Sequence, residues 1–380
     1  MKKAIVIPDS FKGTLGSEEI CEIITEAIRG QFPDCEINSV PVADGGEGSV
    51  DCFLTALGGE KVELAVSGPR FEPMKAFYGL IEGGKTAVIE MAACAGLPLV
   101  ENQKNPEETT TYGVGELILD AAQRGCKKII VGLGGSCTND GGTGAAAAVG
   151  VQFFNSAGET FIPVGGTLSE IARIDVSKRN PALNDVEIVT MCDIDNPFYG
   201  ENGAAFIFGP QKGADEEMVC RLDNGLRRLC GQIADDLGMN LEKTPGGGAA
   251  GAMGAGMIAF FGSRLQMGIE AVLDTVGFDR MLNGADVVFT GEGKMDSQSL
   301  RGKVVIGVSR RAKKAGVPVV VIAGGLDKGI DTAYEMGVSA AFSVNRLPQD
   351  FSVSRYASRE NMKFAAENIV RLWKVASKEK

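Results

Sequence analysis

Apolar residues follow two different spacings along this chain, and each spacing predicts a different element. Near the N-terminus a short apolar run over 4–7 predicts a buried strand, and the next apolar positions fall on one helix face. Those positions are Ile20, Ile23, Ile24, Ala27 and Ile28. A second strand over 36–42 and a helix over 49–57 follow, so the chain begins with alternating strands and helices.

The same alternation returns near the C-terminus. A strand is predicted within 285–293, a helix around 303–315 and a further strand within 317–325. Strands that alternate with helices are typical of a parallel sheet covered on both faces. Both ends of the chain are therefore predicted to form one α/β domain.

The middle of the chain has another pattern. Segments 61–66, 74–81 and 86–92 alternate in strand fashion with Gly and Pro turns between them, which predicts antiparallel pairing. Further strands are predicted at 127–135 and 187–192. We therefore expect an α/β domain formed by residues 1–66 and 281–380, interrupted by an inserted α+β domain at 67–280.

Composition narrows the class of protein. The 380 residues are 44% hydrophobic and 23% charged, which is typical of a soluble globular protein. A net charge of −11 argues against nonspecific binding to nucleic acid or to an anionic membrane. The N-terminal apolar run is too short for a signal peptide, and no apolar stretch approaches the roughly 20 residues of a membrane span. A cytoplasmic protein is expected.

The chain contains no histidine, and this excludes much familiar chemistry. Ser-His-Asp and Cys-His arrangements are ruled out, as is most zinc coordination. The nine cysteines are scattered without a C-x-x-C pair, which is typical of reduced thiols. Catalysis would depend on carboxylates, lysines, backbone amides and a hard cation.

Two glycine motifs match nucleotide-binding patterns in their letters only. GLIEGGKT (79–86) fits the phosphate-loop pattern, but strand-like sequence lies on both sides, so residues 82–84 are predicted to form a hairpin tip. GGGAAG (246–251) fits a dinucleotide fingerprint but follows no strand, and it opens an apolar helical run instead.

A different signal comes from four loops considered together. PDSFKG (8–13), ADGGEG (43–48), GGSCTNDGG (134–142) and TGEGKMDSQS (290–299) all combine glycine with charged or polar residues, and several follow predicted strands. Ligands bind beyond the carboxyl ends of parallel strands, and glycine allows backbone amides to approach an anion. One such loop is compatible with a tight turn, whereas four favour a shared anion site.

Lysines and aspartates supply the charged groups of these loops. The lysines are Lys12, Lys212, Lys294 and Lys303, and the aspartates are Asp44, Asp140, Asp193, Asp195 and Asp296. In MCDIDNP (191–197) two carboxylates at i and i+2 are suited either to a metal or to a base, while the alternative is a capped turn before Pro197. Lysines, carboxylates and glycine loops are what phosphoryl transfer requires.

These blocks resemble the glycerate kinase family that uses neither the phosphate-loop nor the protein-kinase fold. In family order the matching stretches are PDSFKG, ADGGEG, AVIEMA, NPEETTTYGVGELI, GLGGSCTNDGG, CDIDNPFYG, FGPQKGA, AAGAMGAG and ADVVFTGEGKMDSQSLRGK. The resemblance implies transfer of the ATP γ-phosphate to D-glycerate with Mg²⁺, usually giving 2-phosphoglycerate. It also implies a Rossmann-like domain split by a second domain, with the active site in the cleft between them.

The resemblance also suggests roles for individual residues. Asp193 is predicted to be the base, with Asp195 or Asp296 near Mg²⁺, and Asp193 and Asp296 are exchangeable in these roles. Lys12, Lys294 and the amides of Gly134, Gly135 and Ser136 would neutralise phosphate or the substrate carboxylate, and Gly291 and Gly293 belong to the nucleotide site. The predicted glycerate contacts are Asp9, Ser10, Asp44, Glu47, Asn139 and Asp140.

One block departs from the family pattern. Lys294 stands where arginine is common, and Ser297 and Ser299 stand where glycine and threonine are common. Lysine keeps the charge but loses the bidentate guanidinium contact. The expected protein is a monomer or homodimer whose partners are glycerate and ATP. Two alternatives remain: a kinase for another small hydroxy acid, and a noncatalytic two-domain sensor of a small anion.

Overall fold

The structure is a computed structural model that describes residues 1–43, 46, 48–297 and 299–377. It contains helices and strands from one end of the chain to the other. The strands in chain order are β1 (Lys3–Val6), β2 (Glu36–Ser39), β3 (Glu60–Ser67), β4 (Pro73–Ile81), β5 (Thr86–Glu90), β6 (Lys128–Gly132), β7 (Gln152–Phe154), β8 (Thr160–Phe161), β9 (Arg173–Asp175), β10 (Glu187–Met191), β11 (Arg264–Gln266), β12 (Val287–Thr290), β13 (Lys294–Met295), β14 (Val319–Ala323), β15 (Gly325–Leu326) and β16 (Val338–Ser343).

The helices lie between these strands and at the C-terminus. They are α1 (Ser17–Gln31), α2 (Ser49–Leu57), α3 (Ala92–Ala95), α4 (Tyr112–Gln123), α5 (Thr143–Ala148), α6 (Ala204–Phe208), α7 (Glu216–Leu237), α8 (Ala249–Phe261), α9 (Gly268–Val276), α10 (Phe278–Met281), α11 (Val304–Lys314), α12 (Thr332–Glu335), α13 (Phe351–Ser354) and α14 (Ser358–Ala376). Within the described residues no helix is both long and apolar enough to cross a bilayer.

The chain forms two compact units. The terminal unit comprises the described residues of Met1–Asp44, Thr55–Leu57 and Met267–Lys380, and the middle unit comprises those of Gly45–Leu54 and Gly58–Gln266. These limits differ from the boundaries expected from the sequence in two places. β3 pairs with β4 over eight residues and so lies in the middle unit, and α9, which packs against α11, lies in the terminal unit.

The terminal unit is a five-stranded parallel sheet in the order β16-β14-β12-β1-β2. The three central strands, β14, β12 and β1, are apolar because both faces are covered, and Ile5, Val288 and Val321 are fully buried. On one face α1 packs against α14, and the helical spacing of Ile20, Ile24 and Ile28 places these residues in the core. The α/β prediction for the two chain ends is confirmed.

Strand order in this sheet reverses direction next to β1. From β1 the chain crosses to β2 on one side, whereas β12 pairs with β1 on the other side and leads on to β14 and β16. Such a switch point separates the loops that leave two neighbouring strands and creates a crevice at their carboxyl ends. In this unit the loops concerned are 7–13 and 291–297.

The middle unit is a mixed sheet in the order β11-β10-β6-β5-β4-β3. β3, β4 and β5 pair antiparallel, as their alternating sequence predicts, and β5, β6, β10 and β11 are parallel. Ile81 pairs with Thr86 across a short turn at Glu82–Gly84. The phosphate-loop-like stretch is therefore a hairpin tip, as predicted, and Lys85 lies exposed at its end.

The second glycine motif begins a helix, as predicted, but with an unexpected first turn. Ala250, Gly251 and Ala252 have φ values of 54°, 67° and 67°, so the start of α8 is left-handed. Two of these residues carry a Cβ, which makes this conformation costly by about 1–2 kcal/mol per residue. The helical pattern in the sequence does not predict this left-handed turn, because the turn depends on the contacts of residues 246–252.

Candidate active site

The loops after β1 and β12 meet at the carboxyl edge of the terminal unit. The Asp9 amide donates to the Gly291 carbonyl at 2.8 Å, and the hydroxyl of Thr290 donates to the Ile7 carbonyl at 2.7 Å. A Cβ on Gly293 would lie 3.4 Å from the Lys12 nitrogen. The structure therefore brings together the predicted residues Asp9, Ser10, Lys12, Gly291, Gly293, Lys294 and Asp296 on one pair of neighbouring loops.

Glycine at this edge is required by the close packing of the backbone. A Cβ on Gly291 would lie 2.0 Å from the Ile322 carbonyl oxygen, and one on Gly324 would lie 2.3 Å from that of Gly293. The amides of Gly324 and Gly325 donate to the carbonyls of Glu292 and Gly293 at 3.1 Å each. A larger residue would separate the loops, so glycine is needed to keep the edge closed.

Glu292 is a feature of this edge that the sequence analysis missed. Its side chain is 6% exposed, and within the described residues its Oε1 has no hydrogen-bond partner. Burial raises the pKa of Glu292 to about 7, and the nearby carboxylates of Asp9 and Asp296 raise it as well, against Ser299 and Lys303, which lower it. A carboxyl group between two glycines at a strand end was the available sequence signal.

Asp296 and Lys294 occupy the same loop in different surroundings. Asp296 is half-buried, and its amide and Oδ1 face the hydroxyl and amide of Ser299 at 3.1 and 3.4 Å. Lys294 is exposed and pairs with Asp327 at 2.9 Å, and that hydrogen bond raises its pKa. The ammonium therefore remains charged and accessible beside the edge.

Mg²⁺ in kinases is usually held by one or two carboxylates together with substrate phosphates and water. Among the described residues no group of three or more acidic or thiol side chains is placed to hold a metal alone. Asp296 fits this mode of binding because it is a half-buried carboxylate on the loop after β12, with Asp9 and Glu292 nearby. Asp195, the other predicted ligand, is exposed in the middle unit.

The middle unit has its own edge of parallel strand ends. Here the glycine loop, defined as residues 133–142, follows β6 and forms backbone hydrogen bonds with the segment after β5. The amide of Leu97 donates to the Gly135 carbonyl at 2.8 Å, and that of Cys137 donates to the Ala95 carbonyl at 2.9 Å. Gly134 is half-buried and Gly135 exposed, while Ser136 to Asp140 are buried.

Asp140 is fully enclosed within the glycine loop and its surroundings. Its Oδ2 accepts from the amide and the hydroxyl of Thr111 at 2.8 Å each and from the Gly144 amide at 3.3 Å. Its Oδ1 accepts from the Gly142 amide at 3.1 Å. Burial raises the pKa of Asp140, whereas these four donors lower it. The carboxylate therefore joins the end of the glycine loop to the start of α4.

Lys212 lies beneath the same loop. Its ammonium donates to Ser136 Oγ at 2.9 Å and to the Thr138 carbonyl at 2.6 Å, and the side chain is 2% exposed. Burial lowers the pKa of Lys212 to about 8, although Cys137 and Asp140 act in the opposite direction. The sequence placed Lys212 among the loop lysines but gave it no role.

The glycine-rich stretch 246–252 contacts two loops of this edge. Cβ atoms on Gly246 and Gly248 would lie 2.8 Å from Cys192 Sγ and 2.2 Å from the Pro197 carbonyl, beside Asp193 and Asp195 in sequence. A Cβ on Gly251 would lie 2.1 Å from the Thr138 carbonyl. This stretch therefore connects the segment that carries Asp193 to the glycine loop.

Polar side chains are buried without partners at this contact. Within the part of the chain that is described, neither the amide nitrogen nor the amide oxygen of Asn139 has a hydrogen-bond partner, nor has the hydroxyl of Thr138. Both residues are fully buried. Such groups are costly unless a ligand or water satisfies them, so they indicate a polar binding position. Asp193 is half-buried on its segment.

Two predicted substrate residues, Asp44 and Glu47, lie outside the described residues. The remaining predicted residues fall into two groups, one on each unit. The terminal unit holds Asp9, Ser10, Lys12, Gly291, Gly293, Lys294 and Asp296, and the middle unit holds Gly134, Gly135, Ser136, Asn139, Asp140, Asp193 and Asp195. The structure thus groups the residues of each unit at a carboxyl edge of parallel strands.

Known proteins resemble this chain in both sequence and fold. The model of the glycerate kinase family matches residues 4–374. A glycerate kinase of Bacillus cereus is 44% identical over 99% of both chains, and a glycerate 2-kinase of Escherichia coli K12 is 44% identical over 90% of this chain and 91% of its own. A crystal structure from Salmonella typhimurium LT2, assigned as glycerate kinase 2, superposes with a TM-score of 0.89 at 40% identity and 99% coverage of both chains.

The chain therefore belongs to the glycerate kinase family. The resemblance stated from the sequence blocks is confirmed over nearly the whole chain. The protein is a kinase enzyme whose family phosphorylates glycerate. The fold prediction is confirmed as well, since the structural relative shares the parallel-sheet architecture described above.

Proposed function

We propose that this protein transfers the γ-phosphoryl group of ATP to D-glycerate with Mg²⁺, giving 2-phospho-D-glycerate and ADP. The observation that supports this most is the family match over residues 4–374 together with the relative named glycerate 2-kinase. The predicted carboxylates and lysines occupy loops at strand carboxyl ends, where α/β proteins bind ligands.

The terminal-unit loops are suited to the nucleotide. Lys12 and Lys294 are exposed cations at the edge, and the close packing of Gly291 and Gly293 brings backbone near the position of a phosphate. Asp296 would hold Mg²⁺, which neutralises charge on the transferred phosphoryl group when it is bound. These residues bind and orient, and positioning is most of what phosphoryl transfer requires.

The middle-unit loops are suited to the hydroxy acid. Asp193 would accept the proton of the attacking hydroxyl, whose oxygen forms the new bond to phosphorus while ADP leaves. Amides of Gly134, Gly135 and Ser136 would face the carboxylate or a phosphate, and Asn139 supplies a side-chain amide that has no partner within the described residues. Placement of the reaction in a cleft between the domains remains a prediction from the resemblance.

The experiment is a coupled assay for ADP release with a panel of small hydroxy acids. We expect turnover with D-glycerate, loss of it on chelation of Mg²⁺, and ³¹P and ¹³C NMR of the product showing phosphate on the 2-hydroxyl. Faster turnover with another hydroxy acid would assign that substrate instead. Tight binding of one acid without turnover on any would indicate a sensor and contradict the proposal.

A further inference from the structure

Lys212 is a buried cation, and no carboxylate among the described residues forms an ion pair with it. In the part of the chain that is described, its ammonium contacts the Ser136 hydroxyl and the Thr138 carbonyl and forms no ion pair with any carboxylate. The titratable groups that act on it are Asp140 and Cys137, both on the glycine loop and neither hydrogen-bonded to the ammonium in the described residues. Burying a charge in this way is costly, so a benefit elsewhere is expected.

The two hydrogen bonds of Lys212 determine how the glycine loop presents its backbone. The Thr138 carbonyl points toward the ammonium at 2.6 Å. In a trans peptide the C=O and the following N–H point in opposite directions, so the Asn139 amide hydrogen points away from Lys212. The ammonium also holds Ser136 beside the exposed Gly135. The Asn139 amide therefore lies on the face of the loop opposite the lysine.

A second consequence is electrostatic. A positive charge behind the Asn139 amide raises the potential on the outer face of the loop, and the low dielectric of a buried site strengthens this effect. Within the described residues the side chains of Asn139 and Thr138, on the same loop, have no hydrogen-bond partner, which independently indicates a position for a polar ligand or water. A lysine that served packing alone would not need to be charged.

We infer that Lys212 is a positioning residue for phosphoryl transfer: it holds the glycine loop so that its amides bind an anionic oxygen of the substrates, and its charge strengthens that binding. The inference rests on the proposed function, because it takes the ligands to be ATP and a hydroxy acid. Lys212 itself is enclosed and does not touch them.

The test compares Lys212→Met with Lys85→Met. Methionine keeps most of the length of the side chain and removes the charge, and Lys85 is an exposed lysine of the same unit at the hairpin tip. We expect Lys212→Met to remain folded by circular dichroism and to lose at least 100-fold in kcat/KM, while Lys85→Met is unchanged. A kcat/KM for Lys212→Met within threefold of wild type would overturn the inference.

A second measurement uses the wild-type enzyme, so it does not depend on whether Lys212→Met folds. If the charge of Lys212 is needed, wild-type kcat/KM should fall as pH rises above about 8, over a range in which the Tm of the protein stays constant. Lys212→Arg, which remains charged, should lack this alkaline decline. A wild-type profile that is flat from pH 7 to 10 would contradict the inference.

Failure of the inference is distinguishable from failure of the proposed function. Absence of turnover by the wild type would contradict the proposed function alone, and calorimetry with MgATP and with D-glycerate would then test the inference. Weaker binding of either ligand by Lys212→Met than by Lys85→Met would support it. Equal binding of both ligands by the two variants would overturn it.

Discussion

The carboxylate of Asp140 accepts hydrogen bonds from both the backbone amide and the hydroxyl of Thr111, at 2.8 Å each. The two residues are 29 positions apart, and both are fully buried. Two further amides, those of Gly142 and Gly144, complete the contacts of the carboxylate. Asp140 thus holds the glycine loop to the start of α4. We therefore expect its replacement to lower the free energy of unfolding.

Replacing Asp140 with Asn should destabilise the protein. Asparagine replaces one carboxylate oxygen with an NH2 group, so N–H donors face the donors that bond to that oxygen in the wild type. A buried mismatch of this kind costs about 2–4 kcal/mol. Urea unfolding measures the change, with Asp235→Asn, an exposed aspartate on α7, as the control. A normal free energy of unfolding with a raised KM for glycerate would instead support the predicted substrate contact.

Replacing Asp193 with Asn should abolish turnover and leave the fold intact. Asn cannot take the hydroxyl proton, and loss of a general base lowers kcat by roughly 10²–10⁴. Because Asp193 is only half-buried, we expect a change of less than about 1 kcal/mol in unfolding free energy. Steady-state kinetics and urea unfolding measure the two effects.

The matched control for this variant is Asp185→Asn, an exposed aspartate that precedes β10. It should change neither kcat nor stability. Near-normal kcat in Asp193→Asn would remove Asp193 from the role of base and leave Asp296, the exchangeable candidate, to be tested in the same way.

Glu292 should make stability depend on pH in the direction opposite to an ordinary carboxylate. Its folded pKa is raised to about 7 from the usual 4.5, so the folded state binds the proton more tightly than the unfolded state. The stability that this provides is present below pH 4.5 and is lost as pH rises through 7. Glu292→Gln should therefore be more stable than wild type at pH 8, by roughly 1–3 kcal/mol.

This difference should disappear near pH 4.5, where the wild-type carboxyl is protonated in the folded state. Urea unfolding at pH 5, 6, 7 and 8 measures it, and Glu335→Gln, an exposed glutamate of the same unit, is the control. A difference in unfolding free energy between Glu292→Gln and wild type that does not change with pH would contradict the raised pKa.

The sequence predicted the architecture well because the strands have clear periodicity. Buried parallel strands such as β12 and β14 are continuous apolar runs, and strand-like sequence in β4 and β5 flanks Glu82–Gly84. The hairpin flanks therefore decided against a phosphate loop even though the letters matched. The local pattern of apolar and polar residues is sufficient to predict an element when that pattern reflects how the element is buried.

The candidate site was predicted less completely, for a physical reason. The roles of Lys212 and Glu292 depend on burial and on partners distant in sequence: Lys212 is 76 residues from Ser136, and the Glu292 pKa depends on Asp9. Neither burial nor a missing partner has a signature in a single sequence. Charged residues beside glycines indicated where to look, but not which of them are enclosed.

The left-handed turn at the start of α8 is another feature that the sequence alone did not predict. The composition of residues 249–261 predicts a helix, and only the close approach of Gly251 to Thr138 explains why its first residues depart from the right-handed form. Ala250 has φ of 54° and is half-buried, so its Cβ is strained without being enclosed in the core.

Ala250→Gly should therefore stabilise the protein, by about 0.5–1 kcal/mol, because glycine adopts positive φ without steric cost. Ala259→Gly, in the right-handed part of the same helix, should have the opposite sign and destabilise by about 1 kcal/mol. Urea unfolding of the two variants compares one substitution in two backbone conformations. Equal destabilisation by both would show that the left-handed turn is absent in solution, and with it the contact that joins residues 246–252 to the glycine loop.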